Sequence, residues 1–273
     1  MASLSFKTVP LLCSKLDLSG KRIPIDLSSF DFIEPFALIY LGLLMRYFNC
    51  RGKVFSLILP EDSKVQEYLS NQNFFERFKF DADTIENNRL LQELTATSLN
   101  DIIDIIKTPG IAENISDKVK SLLVSCKFGG DINEICILVA EVVDNFAQHS
   151  GETLGVFMVQ YFPKLKKLSI AIGDCGIGFR ASLCKNRDYA YLEKMPHYRA
   201  IAKAFEPLVS CIPGRGMGLS ELRDEIIKSR GYLYCSSFDG YVRIDKKGKM
   251  YEGKMPFSLP GVKMEFGFPE KRV

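Results

Sequence analysis

The chain has 273 residues, enough for one large domain or two small ones at roughly 150 residues each. Apolar residues make up 47% and charged residues 25%, which excludes disorder, collagen or coiled coil as a description of the whole. Thirty-six Lys and Arg against thirty-three Asp and Glu leave a net charge of +3, too small to mark a nucleic-acid or membrane-surface protein.

Cysteines stand at 13, 50, 126, 136, 175, 184, 211 and 235 with no CxxC pair, which argues against a zinc or redox motif. Four sit beside apolar residues and read as small buried hydrophobes of a reduced protein. The N-terminus, Met-Ala-Ser-Leu-Ser-Phe-Lys, lacks the apolar core of a signal peptide. The strongest apolar run, Phe36 to Met45, is about half the length of a membrane span. A cytoplasmic protein is expected, with neither membrane nor nucleic acid among its partners.

In chain order, Arg22 to Leu27 reads as a short strand. Pro35 then opens a helix, Phe36 to Asn49, whose apolar residues occupy most faces, as in a helix buried against a sheet. Val54 to Leu59 is a continuous apolar strand of the kind covered on both faces. Pro60-Glu61-Asp62-Ser63 makes a turn with capping residues, and Val65 to Leu69 starts another helix. Residues 81–110 are polar and end at Pro109-Gly110, so the boundary is expected there. Helices follow over Ile115 to Cys126 and Asp131 to His149, then strands over Val156 to Phe162 and Leu168 to Ile172. A long segment, 180–213, leads to a glycine cluster and a further helix. Tyr232 to Ser236, Tyr241 to Ile244 and Val262 to Phe268 supply late strands. The expected class is α/β: a small α/β domain over 1–85, a connector over 86–110, and an α/β sandwich over 111–273.

Three segments carry chemistry. On the helix Asp131 to His149, Ile135, Leu138, Val139, Val142 and Phe146 form a core stripe, while Glu141, Asn145 and His149 share a neighbouring face. A merely solvated polar face accounts for that pattern. The sharper reading is a carboxylate placed to activate a hydroxyl or water beside an amide oxygen that ligates a hard cation. The second segment, Asp174-Cys175-Gly176-Ile177-Gly178, follows an apolar strand. A plain turn explains one glycine and the aspartate. Two spaced glycines also suit close backbone approach to a flat ligand, with the carboxylate accepting from an adenine amino group. The third, Gly214-Arg215-Gly216-Met217-Gly218-Leu219-Ser220, leads into a helix with Leu222, Ile226 and Ile227. Its glycines expose backbone N–H groups at the positive end of a helix, where a phosphate binds readily. The late position and the missing Walker lysine exclude Rossmann and P-loop readings.

The order Glu-x-x-x-Asn, Asp-x-Gly-x-Gly, Gly-x-Gly-x-Gly resembles the GHKL ATPase superfamily of gyrase, Hsp90, histidine kinases and MutL, over roughly residues 105–270. The resemblance implies a Bergerat-type sandwich, a mixed sheet with helices on one face, holding ATP and Mg²⁺. It assigns Asn145 to the Mg²⁺ and Glu141 to the general base or, in a kinase, to the group that orients the acceptor. Asp174 binds the adenine amine, Gly176 and Gly178 line the adenine pocket, and 180–213 form the lid. Gly214, Arg215, Gly216, Met217, Gly218 and Leu219 wrap the phosphates. Gln148 stands where many histidine kinases carry a basic residue, which weakens phosphate neutralisation. Of the two histidines, His149 and His197, neither lies in a dimerising helical hairpin, against a sensor kinase that phosphorylates itself. More loosely, Asp26 to Ile33 and the helix after it are similar to STAS domains. Where those place a phosphoacceptor, this chain has Glu34-Pro35-Phe36-Ala37.

The expectation is an ATP/Mg²⁺-binding protein nearest the anti-sigma-factor serine/threonine kinases, which passes phosphate to a hydroxyl of a regulator or other protein partner. A slow ATPase switch and a nucleotide-binding interaction module without turnover are the alternatives. ATP or ADP is the small-molecule partner, and a homodimer is the default assembly.

Overall fold

The computed structural model describes residues 2–60, 63–72, 74, 78, 102–106, 108–149, 154–210 and 218–270. The chain divides into two compact units, Met1–Ile102 and Ile103–Val273. Both mix helices and strands, so the α/β class holds.

In the first unit, β1 (Ser3–Leu4) leads to α1 (Val9–Cys13), β2 (Arg22–Asp26), β3 (Phe32–Ile33), α2 (Pro35–Asn49), β4 (Val54–Ile58) and α3 (Ser63–Asn71). β1 pairs in parallel with β3, and β2 with β4, from Arg22 opposite Val54 to Asp26 opposite Ile58. Proline at the start of α2 gives up an N–H that has no helical partner there, and every residue from Pro35 to Met45 is buried. β4 departs from the expected two-sided cover. Phe55 and Leu57 are buried while Ile58 is half exposed, the alternation of a strand with one covered face.

The second unit is built on β5 (Ile102–Ile106), α4 (Ile111–Ser125), α5 (Ile132–His149), β6 (Leu154–Phe162), β7 (Lys167–Gly173), α6 (Gly178–Leu183), α7 (His197–Ala204), α8 (Gly218–Lys228), β8 (Tyr232–Ile244) and β9 (Met250–Pro269). Its five strands run in the order β5-β6-β7-β9-β8, with β6/β7, β7/β9 and β8/β9 antiparallel. β5 lies within the stretch read as connector, where Asp104 and the polar residues before it hide a strand of four isoleucines. Alternate residues Phe157, Val159, Leu168, Ile170, Ile172, Leu233, Met264, Phe266 and Phe268 share one core with buried residues of α4, α5 and α8. The alternate positions carry Ser169, Tyr232 and Glu265, also buried, with both hydroxyls donating toward the Glu265 carboxylate.

Three elements position the site. Asp131 caps α5 by accepting from the Glu134 N–H at 3.0 Å, and Ser116 of α4 donates to the Cys136 carbonyl at 2.9 Å. β8 and β9 pair beyond the sheet as a long hairpin, since β7 matches β9 only from Lys263 to Pro269. The segment expected as a lid is helical through α6, a 3₁₀ turn (Arg187–Lys194) and α7. Leu183, Leu192, Ala200, Ala204 and Val209 form its own small core, while Ile201 and Phe205 enter the main one. Apolar residues at i, i+1 and i+4 of α7 account for that packing.

Candidate functional site

Glu141 and Asn145 stand one turn apart on α5, and the first residue of α8 meets both. A Cβ added at Gly218 would lie 2.8 Å from Glu141 Oε2 and 3.1 Å from Asn145 Nδ2. Glycine is thus the residue that lets the start of α8 approach the two side chains. Glu141 Oε2 is buried and has no hydrogen-bond partner among the described residues. Burial raises the Glu141 carboxyl above its ordinary value, and the Glu221 carboxylate in the first turn of α8 raises it further. Glu221 escaped sequence reasoning, because an acid in a first helical turn is ordinary complementation of the helix dipole. Gln148 donates to Asp144 Oδ2 at 2.7 Å.

Asp174 follows β7 in a closed backbone loop. It is 2% exposed, its N–H donates to the Val262 carbonyl at 2.8 Å, and its Oδ1 accepts from Gly176 N at 2.6 Å and Val262 N at 3.4 Å. Gly261 of β9, at φ +84°, touches the same loop: a Cβ there would lie 2.3 Å from the Asp174 carbonyl oxygen. Gly178 faces β8, where an added Cβ would lie 2.5 Å from Ser237 Oγ and 2.9 Å from the Phe238 ring. Phe238 stacks on His197 at 4.6 Å.

Phe179, next to Gly178, and Leu219, next to Gly218, pack against the same small core of Leu183, Leu192, Ala200, Ala204 and Val209. That core links the two glycine segments. Gly214, Arg215, Gly216 and Met217 lie outside the described residues, as does the side chain of His149. Lys263 is a second residue missed in the sequence. Alternation within Val262 to Phe268 marks it for solvent, yet it is fully buried.

The fold and the site define a two-unit α/β protein with a glycine-started helix set against a half-buried carboxylate and an amide. Comparison of the chain with protein-family models, with curated proteins and with solved structures finds no match. Among the described residues, no helix is long and apolar enough to cross a membrane.

Proposed function

We propose that the second unit is a Bergerat-type ATP-binding domain and that the protein is a cytoplasmic regulatory kinase, which passes phosphate to a Ser or Thr hydroxyl of a protein partner. The observation that carries this reading is the convergence of Glu141, Asn145 and Gly218 at the start of α8. The residues suit the group. A helix start opened by glycine offers N–H donors and positive dipole to phosphate. An amide oxygen is a ligand for a hard cation, and a half-buried carboxylate whose Oε2 has no hydrogen-bond partner among the described residues is a proton acceptor. Asn145 would supply an amide oxygen to a cation that is held mainly by phosphate.

Bound Mg²⁺-ATP supplies the transferable phosphoryl group and a metal that neutralises phosphate charge. The chain does the rest by positioning. Asn145 would hold the cation, and the N-terminus of α8 would hold phosphate oxygens. Glu141 takes the proton of the acceptor hydroxyl, its raised affinity for protons making it the stronger base. Asp174 receives the adenine amino group. Helices sharing one face of the five-stranded sheet support the Bergerat reading. In the first unit, the parallel β2–β4 pair and the buried α2 support a STAS-like docking or self-association domain.

A slow ATPase switch is the second reading, favoured by Gln148, an uncharged amide bonded to Asp144 rather than a cation. Glu141→Ala tests the base in either case. ATP binding should survive, while transfer or hydrolysis falls by about a hundredfold or more. Full activity in the variant removes Glu141 from the chemistry.

A further inference from the structure

Lys263 is fully buried on β9, opposite Gly173 of β7 and Ser236 of β8. A charge taken out of water is costly unless partners hold it. Its Nζ donates to the Leu259 carbonyl at 3.0 Å and to the Pro260 carbonyl, so the side chain folds back and closes the bulge before it in β9. That bulge carries Gly261, whose positive φ brings its backbone onto Asp174. The next residue, Val262, donates its N–H to Asp174 Oδ1 and accepts from the Asp174 N–H. The lysine therefore clamps the strand segment that grips the aspartate.

We infer that Lys263 is a positioning residue for Asp174: its ammonium locks the Leu259–Val262 bulge against the carboxylate and so fixes the direction in which Asp174 offers an acceptor to the amino group of a purine. The inference rests on the adenine-nucleotide reading of the site, but its first readout needs no nucleotide. Burial lowers the Lys263 pKa to about 8, opposed by Cys175 and Asp174 on the loop after β7 and by Cys235 on β8. Among the described residues, these are the titratable groups that face it. Above that pH the amine loses its charge and holds the two carbonyls less strongly.

Amide hydrogen exchange in the ligand-free protein tests the clamp. Lys263→Met removes the ammonium and keeps an unbranched apolar chain. Protection of the Gly176 and Val262 amides should fall by about tenfold, with the α5 amides of Val139 and Val142 changed by less than about threefold. Lys263→Arg should restore most of it. In the wild type, protection of the same two amides, corrected for intrinsic base catalysis, should fall by about tenfold between about pH 7 and pH 9. Unchanged protection overturns the clamp, and so does an equal loss in α5, which marks general destabilisation. If Lys263→Met does not fold, the wild-type pH profile and Lys263→Arg decide.

A second arm compares ADP with IDP, whose base carries a carbonyl in place of the amino group. The wild type should prefer ADP by about tenfold, and Lys263→Met should narrow this to within about threefold. Equal losses for both nucleotides overturn the positioning role. Failure of the wild type to bind ADP overturns the nucleotide reading alone, and hydrogen exchange then judges the clamp by itself.

Discussion

Glu141 and Asp174 are both carboxylates set against glycines, and their surroundings are opposite. Asp174 is enclosed by backbone: two N–H groups donate to one oxygen and a strand glycine presses on the loop. Glu141 faces a helix start and a second carboxylate, and one of its oxygens has no partner among the described residues. A buried acceptor satisfied by backbone amides is held in place by the fold. A buried acceptor left without a donor costs stability, and proteins keep such groups where chemistry uses them. The contrast separates a carboxylate that is aimed from one that is poised.

The largest expected effect is on the enclosed carboxylate. Gly261→Ala must place a methyl group against the Asp174 backbone from a positive φ, and backbone cannot swing away. A loss of about 3 kcal/mol is expected in urea denaturation. Retained stability would show that the Asp174 loop is looser than its contacts indicate.

Gly218→Ala makes the opposite kind of clash, with the far end of the flexible Glu141 side chain. The carboxylate can turn aside, so stability should fall by less than about 1 kcal/mol. Phosphoryl transfer or hydrolysis should nevertheless drop by about tenfold or more, because the base is displaced. Equal damage to folding in both glycine variants would erase the distinction between the two carboxylates.

The smallest effect is a pH signature at Glu141. Its pKa is raised in the folded state, so folding favours its protonated form, and stability falls as pH rises from the ordinary carboxylate value through the folded value. Glu141→Gln removes that penalty. It should raise Tm at about pH 8 and change it little at about pH 4, measured by thermal melts across that range. A Tm gain independent of pH would assign the effect to packing.

Much of the second unit was legible because its helices and inner strands obey simple periods. The stripe Ile135, Leu138, Val139, Val142 and Phe146 gave α5 its core face, and all five are buried. Proline before an all-round apolar run gave α2. The rest was hidden by context. β5 is five residues after a polar stretch, and the first half of β9, Met250 to Leu259, lacks alternation and pairs only with β8, shifting register before Leu259 and again after it. Within the site, Glu141 and Asn145 could be placed on one face, but their meeting with Gly218 is a tertiary fact. Lys263 defeated pattern reading outright: polar alternation announces solvent, and here it marks a buried cation bonded to its own turn.

Calorimetry of ATP binding, with and without Mg²⁺, on the wild type and Asp174→Asn tests the central claim most directly. The account predicts micromolar binding that requires Mg²⁺ and collapses in the variant. Absence of binding by the wild type would contradict it and leave Glu141, Asn145 and Gly218 as a structural corner of the fold.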